Sequence, residues 1–131
     1  MILLDTCALI FDALTPEKLG KRAVEEITRG RLVGMLACSD ISLWEIAMLI
    51  SKGRLKPDVS APEFLRLIIT ANRLRVLPIL PEIALISAHD ELFEHNDPAD
   101  RIIAATALHH KLPLLTSDGN LKKVKNLKTI W

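Results

Sequence analysis

Short apolar runs alternate along the chain with longer stretches whose apolar positions recur at helical spacing, and this alternation predicts the elements. Ile2-Leu3-Leu4 reads as a buried strand that stops at Asp5-Thr6. Cys7 to Leu14 follows as a short helix, with Thr6 as its cap. Thr15-Pro16-Glu17 opens a second helix with a capping residue, a first-position proline and an early acid. Leu19, Ala23, Val24 and Ile27 supply its apolar face, and Gly30 is placed to end it. Leu32 to Ala37 reads as the next strand, and Ser39 or Asp40 caps a helix from Ile41 to Ser51 that Gly53 closes.

Beyond a linker at Pro57 to Ser60, Ser60-Ala61-Pro62-Glu63 has the form of a capping box and starts a helix to Asn72. Val76-Leu77-Pro78-Ile79 is a third strand whose proline marks an edge or an end. Pro81 to Leu92 is helical, His95-Asn96 is a loop, and Pro98 to His110 is a helix that is almost wholly apolar. Leu112 to Thr116 gives a fourth strand, Ser117-Asp118-Gly119-Asn120 a turn, and Ile130 closes a short last strand. Strands alternating with helices imply an α/β fold, a three-layer sandwich around a central, mainly parallel sheet of four to five strands.

Composition narrows the class. At 131 residues the chain is expected to form a single domain, residues 1–131, and 50% hydrophobic content is enough for a core. No run approaches the 18 apolar residues of a membrane span, and the start lacks the basic region and cleavage site of a secretory signal. Cys7 and Cys38 have no metal-type spacing and make no disulfide framework, so a cytoplasmic location is the expectation. A net charge of +1 excludes a strong global field, so any nucleic-acid contact must come from local patches.

The chemistry gathers around Asn96-Asp97-Pro98-Ala99-Asp100-Arg101, where charges stand at the mouth of the apolar helix. In open α/β sheets ligands sit beyond the carboxyl ends of the strands. Asp5 ends the first strand, Asp118 follows the fourth, Asp100 lies in the first turn of the helix before it, and Glu45 is inside the helix after the second. Each has a plain structural role open to it. Asp5 can cap a turn; Asp97 and Asp100 fit N-cap and N3; Glu45 shares a face with Ser42 and Lys52; Asp118 suits any turn. Should the four converge, they could not all ionise in a dry pocket without a cation. Mg²⁺ and Mn²⁺ take oxygen ligands and leave room for phosphate, which is the setting for phosphodiester hydrolysis.

The chain resembles the PIN-domain ribonucleases, specifically the toxins of VapBC-type toxin–antitoxin pairs, over nearly its whole length. The resemblance rests on Leu3-Leu4-Asp5-Thr6 with Ala8-Leu9, and on Ser42-Leu43-Trp44-Glu45-Ile46-Ala47 followed by Lys52-Gly53-Arg54-Leu55. It continues through Leu77-Pro78-Ile79, Asp97-Pro98-Ala99-Asp100-Arg101-Ile102-Ile103-Ala104-Ala105 and Leu115-Thr116-Ser117-Asp118. It implies that Asp5, Glu45, Asp100 and Asp118 are the catalytic, metal-binding acids, with Thr6 and Thr116 supporting them and Asp97 as helix cap or outer-shell residue. It further implies Mg²⁺- or Mn²⁺-dependent endonucleolytic cleavage of RNA, inhibition by a cognate antitoxin lying in a groove, and a homodimer. The chain departs from the commonest pattern at Cys7, Ala99 and Leu121 and around His89 to Asn96, which touches substrate choice and dimer detail more than the acids.

Two alternatives remain at this stage: a phosphohydrolase using Asp5 as nucleophile, and a non-catalytic protein-binding module of the same fold. The first lacks the second aspartate expected two residues on, where Cys7 stands. Lys122-Lys123-Val124-Lys125-Asn126-Leu127-Lys128 and the trio Lys52, Arg54 and Lys56 suit RNA phosphates or a solvated face, and Arg101 suits a salt bridge. His109-His110 sits at a helix end without a spaced partner for zinc, and the scattered aromatics form no stacking platform.

Overall fold

A computed structural model describes residues 1–94 and 96–131; His95, read as part of a loop, lies outside them. Five parallel strands form one sheet in the order β3-β2-β1-β4-β5: β1 Ile2–Leu4, β2 Leu36–Ser39, β3 Arg75–Leu77, β4 Leu114–Leu115 and β5 Thr129–Ile130. Among the described residues seven helices connect them: α1 Thr6–Leu14, α2 Lys21–Val33, α3 Asp40–Ser51, α4 Ala61–Asn72, α5 Pro81–Ser87, α6 Pro98–His110 and the single turn α7 Gly119–Lys122. The expected α/β class and parallel sheet are realised, with five strands. β3, whose proline-flanked sequence suggests an edge, is an edge strand.

Side-chain alternation along the short strands builds the layers. Leu4, Leu36, Cys38 and Leu115 pack into one core with α1 to α4, through Ala8, Leu9, Ala23, Ile27, Ile46, Phe64 and Ile68. Leu3, Ala37 and Leu114 point the other way into a second core with Ile103, Ala104 and Ala107 of α6, Leu121 and Val124. A strand buried on both faces has no polar alternation, which is why these runs read as continuous apolar stretches. Each fully buried leucine contributes roughly 1.5–3 kcal/mol relative to exposure.

Five local expectations are corrected. Thr15-Pro16-Glu17 does not open α2; it starts a 3₁₀ turn, Pro16–Lys18, and Gly20 is the N-cap of α2. Gly30 does not end α2. It lies inside the helix, where a Cβ would stand 2.3 Å from Leu36 Cδ2, and the helix stops at Gly34 in the left-handed conformation, φ 68°. Leu32 and Val33, read as strand, are exposed residues in the last turn of α2, and Val24 faces solvent. The helix from Pro81 ends at Ser87, followed by a separate 3₁₀ turn at Asp90–Leu92.

The close approach at Gly30 gives a prediction. Gly30→Val forces branched carbons into Leu36 and costs about 3 kcal/mol, seen as a lower denaturant midpoint. Adding Leu36→Ala vacates that space, so the double variant loses less than the sum of the two single losses, measured in a double-mutant cycle.

Candidate active site

In this parallel arrangement each helix runs back against the strands, so helix N-termini gather at the sheet's C-terminal edge. Four of them bring the sequence-predicted acids there. Asp5 leaves β1 as the N-cap of α1, its Oδ1 accepting from the Ala8 amide at 2.7 Å. Asp5, not Thr6, therefore caps this helix. Asp97 caps α6 by accepting from the amides of Ala99 at 3.0 Å and Asp100 at 3.2 Å, and Pro98 fills the first helical position. Asp118 leaves β4 and caps α7, accepting from Asn120 at 2.8 Å and Leu121 at 3.3 Å. Glu45 lies in the second turn of α3, whose cap is Ser39. The partial positive charge of helix N-termini favours carboxylates at these places.

Hydroxyl groups orient two of the acids. Thr116, on the β4 exit, donates to Asp5 Oδ2 at 2.5 Å and accepts from the Asp118 amide at 3.1 Å. One threonine thus fixes Asp5 and the backbone that carries Asp118. Thr6 donates to Glu45 Oε1, and its oxygen lies 3.0 Å from Ser42 Oγ. The single Thr6 proton goes to the carboxylate, so Ser42 is the donor in the second contact. Ser42 is fully buried, although its sequence context also fits a solvated stripe. Its spacing of three from Glu45 on one helix face is the signal that marks it as a support.

The acids feel one another. Asp5 is only 6% exposed, and that burial pushes its pKa up to about 6, with the charges of Asp100 and Asp118 adding to the rise and the bonds from Thr116 and Ala8 opposing it. Glu45 is raised by burial, then by Asp100, Asp97 and Asp5, against the Thr6 hydrogen bond. The thiol of Cys7, next to the group on α1, is pushed up to about 11 by desolvation and then by Asp5, Asp100, Glu45 and Asp118. It stays protonated and is no nucleophile at neutral pH. Asp5, Glu45, Asp100 and Asp118 thus share one electrostatic neighbourhood.

As the side chains stand, no three His, Cys, Asp or Glu groups among the described residues are disposed to hold a metal ion. Both oxygens of Asp5, one of Glu45 and one of Asp118 are engaged with hydroxyls or capping amides. The donor set still suits a hard divalent cation: it is all oxygen, each oxygen keeps further lone pairs, and burial, then the charge of neighbouring acids, raises the pKa values of Asp5 and Glu45. Beside the acids an apolar groove of about 560 Å³ runs between α3 and α6, lined by Trp44, Met48, Pro98 and Ile102 and flanked by Glu45 and Asp97. Trp44 is 56% exposed there. Arg101 pairs with Asp90 at 2.8 Å and Asn96 at 3.1 Å and lies over the Phe93 ring, tying the segment before α6 to that helix.

The PIN domain family matches residues 2–127 of the chain. Ribonuclease VapC22 of Mycobacterium tuberculosis is 28% identical over 132 residues, covering 99% of this chain and 98% of that protein. The crystal structure of VapBC2 from Rickettsia felis bound to a DNA fragment from their promoter is similar at a TM-score of 0.72, with 20% identity over 99% of this chain and 98% of that one. FitAcB from Neisseria gonorrhoeae aligns at a TM-score of 0.68 with 26% identity, covering 100% of this chain and 97% of the other.

The raised pKa of Asp5 makes the stability of the metal-free protein depend on pH. The folded state holds the Asp5 proton more tightly than the unfolded chain does, so this group's contribution is fully present below about 3.8 and is lost as pH rises through about 6. The difference amounts to roughly 3 kcal/mol. Asp5→Asn keeps a capping oxygen and no longer titrates, so wild type minus variant stability, from urea melts in chelator, becomes steadily less favourable to wild type between pH 4 and 6.5.

Proposed function

The chain belongs to the PIN-domain family, and on that premise we propose that it is a divalent-metal-dependent endoribonuclease, a toxin of the VapBC type that a cognate antitoxin holds in check. The observation that carries this reading is the convergence of Asp5, Glu45, Asp100 and Asp118 at one edge of the sheet, where Asp5 is driven up to about 6 by burial and by its acidic neighbours. The relation to Ribonuclease VapC22 supports RNA as the substrate, and the likeness to VapBC2 of Rickettsia felis supports an antitoxin partner.

Asp5, Glu45, Asp100 and Asp118 would hold Mg²⁺ or Mn²⁺, which when bound supplies positive charge for a phosphodiester and acidifies a coordinated water. The chain's own residues prepare for this. Thr116 fixes the plane of the Asp5 carboxylate, and Thr6 with Ser42 fixes Glu45. Asp97 spends its own carboxylate on capping and so aims the first turn of α6, which presents Asp100. Of the two, Asp97 is assigned the helix start and Asp100 the site, because Asp100 acts on both Asp5 and Glu45 and Asp97 on Glu45.

The apolar groove at Trp44 and Met48 gives an antitoxin segment a seat from which it reaches the acids. The working unit is a homodimer in the cytoplasm. No helix among the described residues is long and apolar enough to cross a membrane. A covalent role for Asp5 is disfavoured because Cys7 stands where a phosphohydrolase of that kind carries its second aspartate.

Replacing Asp5 or Asp100 with asparagine abolishes RNA cleavage while the circular dichroism spectrum is unchanged; cleavage at the wild-type rate would sink the proposal. Thr116→Val, which only orients the acids, lowers the cleavage rate on the order of 10–100-fold and leaves the protein folded. Chelation stops cleavage, added Mg²⁺ or Mn²⁺ restores it, and the purified antitoxin suppresses the restored activity.

A further inference from the structure

Away from the acids the chain has a second concave feature, a hollow of about 580 Å³ between α2 and the entries to β1, β4 and β5. One wall is a stripe of α2 that carries Arg22, Glu26 and Arg29. The opposite wall carries Lys111, at the C-terminal cap of α6, and Lys128, just before β5. Ile2, Val33 and Leu112 give the hollow an apolar lining. Glu26 is its one carboxylate and is bonded to Arg29 at 3.1 Å. Among the described residues Arg22, Lys111 and Lys128 have no side-chain hydrogen bond or ion pair.

The helix field accounts for only part of this cluster. Lys111 follows the last turn of α6, where positive charge is favourable. Arg22 lies in the first turn of α2, where the helix dipole opposes a cation. Lys128 belongs to no helix. Three elements far apart in sequence therefore deliver cations to one hollow in a chain whose net charge is only +1. Its volume lies in the range of small-ligand sites. Cations on the walls with an apolar lining match a phosphate ester carrying an organic body.

We propose that this hollow binds the phosphate of a nucleotide, either within a single RNA strand or free in solution. It is separate from the acidic site, which repels phosphate when no cation is present. Binding measured in chelator therefore excludes the acidic site, the positions of the shifts separate the hollow from the other basic patches, and failure to bind leaves the ribonuclease reading untouched.

The test titrates the metal-free full chain, in chelator, with a short single-stranded oligoribonucleotide and separately with ADP. Amide chemical shifts are followed by NMR and affinity by calorimetry. We expect shifts at Arg22, Met35, Lys111 and Lys128, and binding that weakens with added salt. A Lys111→Asn/Lys128→Gln variant, with asparagine chosen because Lys111 has φ 55°, loses affinity on the order of tenfold. A charge-matched control, Lys18→Gln/Arg66→Gln, stays within about twofold of wild type. Tighter binding of the oligoribonucleotide identifies a strand as the source of the phosphate, and equal or tighter binding of ADP identifies a free nucleotide. The proposal is overturned if neither binds, if the variant matches wild type, or if the shifts fall outside the hollow.

Discussion

A carboxylate buried at the end of the central strand is the constraint around which the rest of the structure is arranged. Asp5 leaves β1 with almost no solvent contact, and an ionised group there is tolerated only with hydrogen bonds or a counter-charge. The protein supplies the first through the Ala8 amide and the Thr116 hydroxyl. Like charges on Asp100 and Asp118 keep the balance unfavourable, so the site is left short of positive charge. That deficit is of the kind a divalent ion would relieve.

The parallel sheet explains why the deficit falls where it does. Helices that return antiparallel to the strands place their N-termini at one edge, and Asp5, Asp97 and Asp118 each act as an N-cap there. Capping is itself worth about 1 kcal/mol per helix. Local folding energy and site assembly thus draw on the same side chains. Thr116 and Thr6 then join acids carried on separate elements, so the orientation of each carboxylate depends on the packing of two layers.

Much of this was legible in the residues alone. Asp97-Pro98-Ala99-Asp100 announces a cap, a first-turn proline and an N3 acid, and the structure has all three. Ser60 likewise accepts from the Glu63 amide, as its capping-box pattern predicts. The strand cores of β1 and β4 follow from uninterrupted apolar runs. What escaped was decided by distant contacts. Gly30 looks like a helix terminator, yet what it provides is room for Leu36. Leu32 and Val33 have strand-like character but sit in the exposed last turn of α2. Thr6 looks like a cap because a hydroxyl beside a helix start usually is one, whereas its hydroxyl serves Glu45, 39 residues away. Such choices leave no local periodic trace.

The bond from Thr116 to Asp5 spans 111 positions in the chain. Asp5 is synthesised well before Thr116, Asp118 and the strands β4 and β5. Loop-closure entropy and a parallel topology both delay such a long-range junction. A nascent chain that has not yet reached Thr116 therefore carries Asp5 and Glu45 without the geometry that joins them to the rest of the site. For a protein read as an RNA-cleaving toxin, this order of assembly is a safeguard: the centre becomes complete only once the chain has been extended 111 positions beyond Asp5 to Thr116.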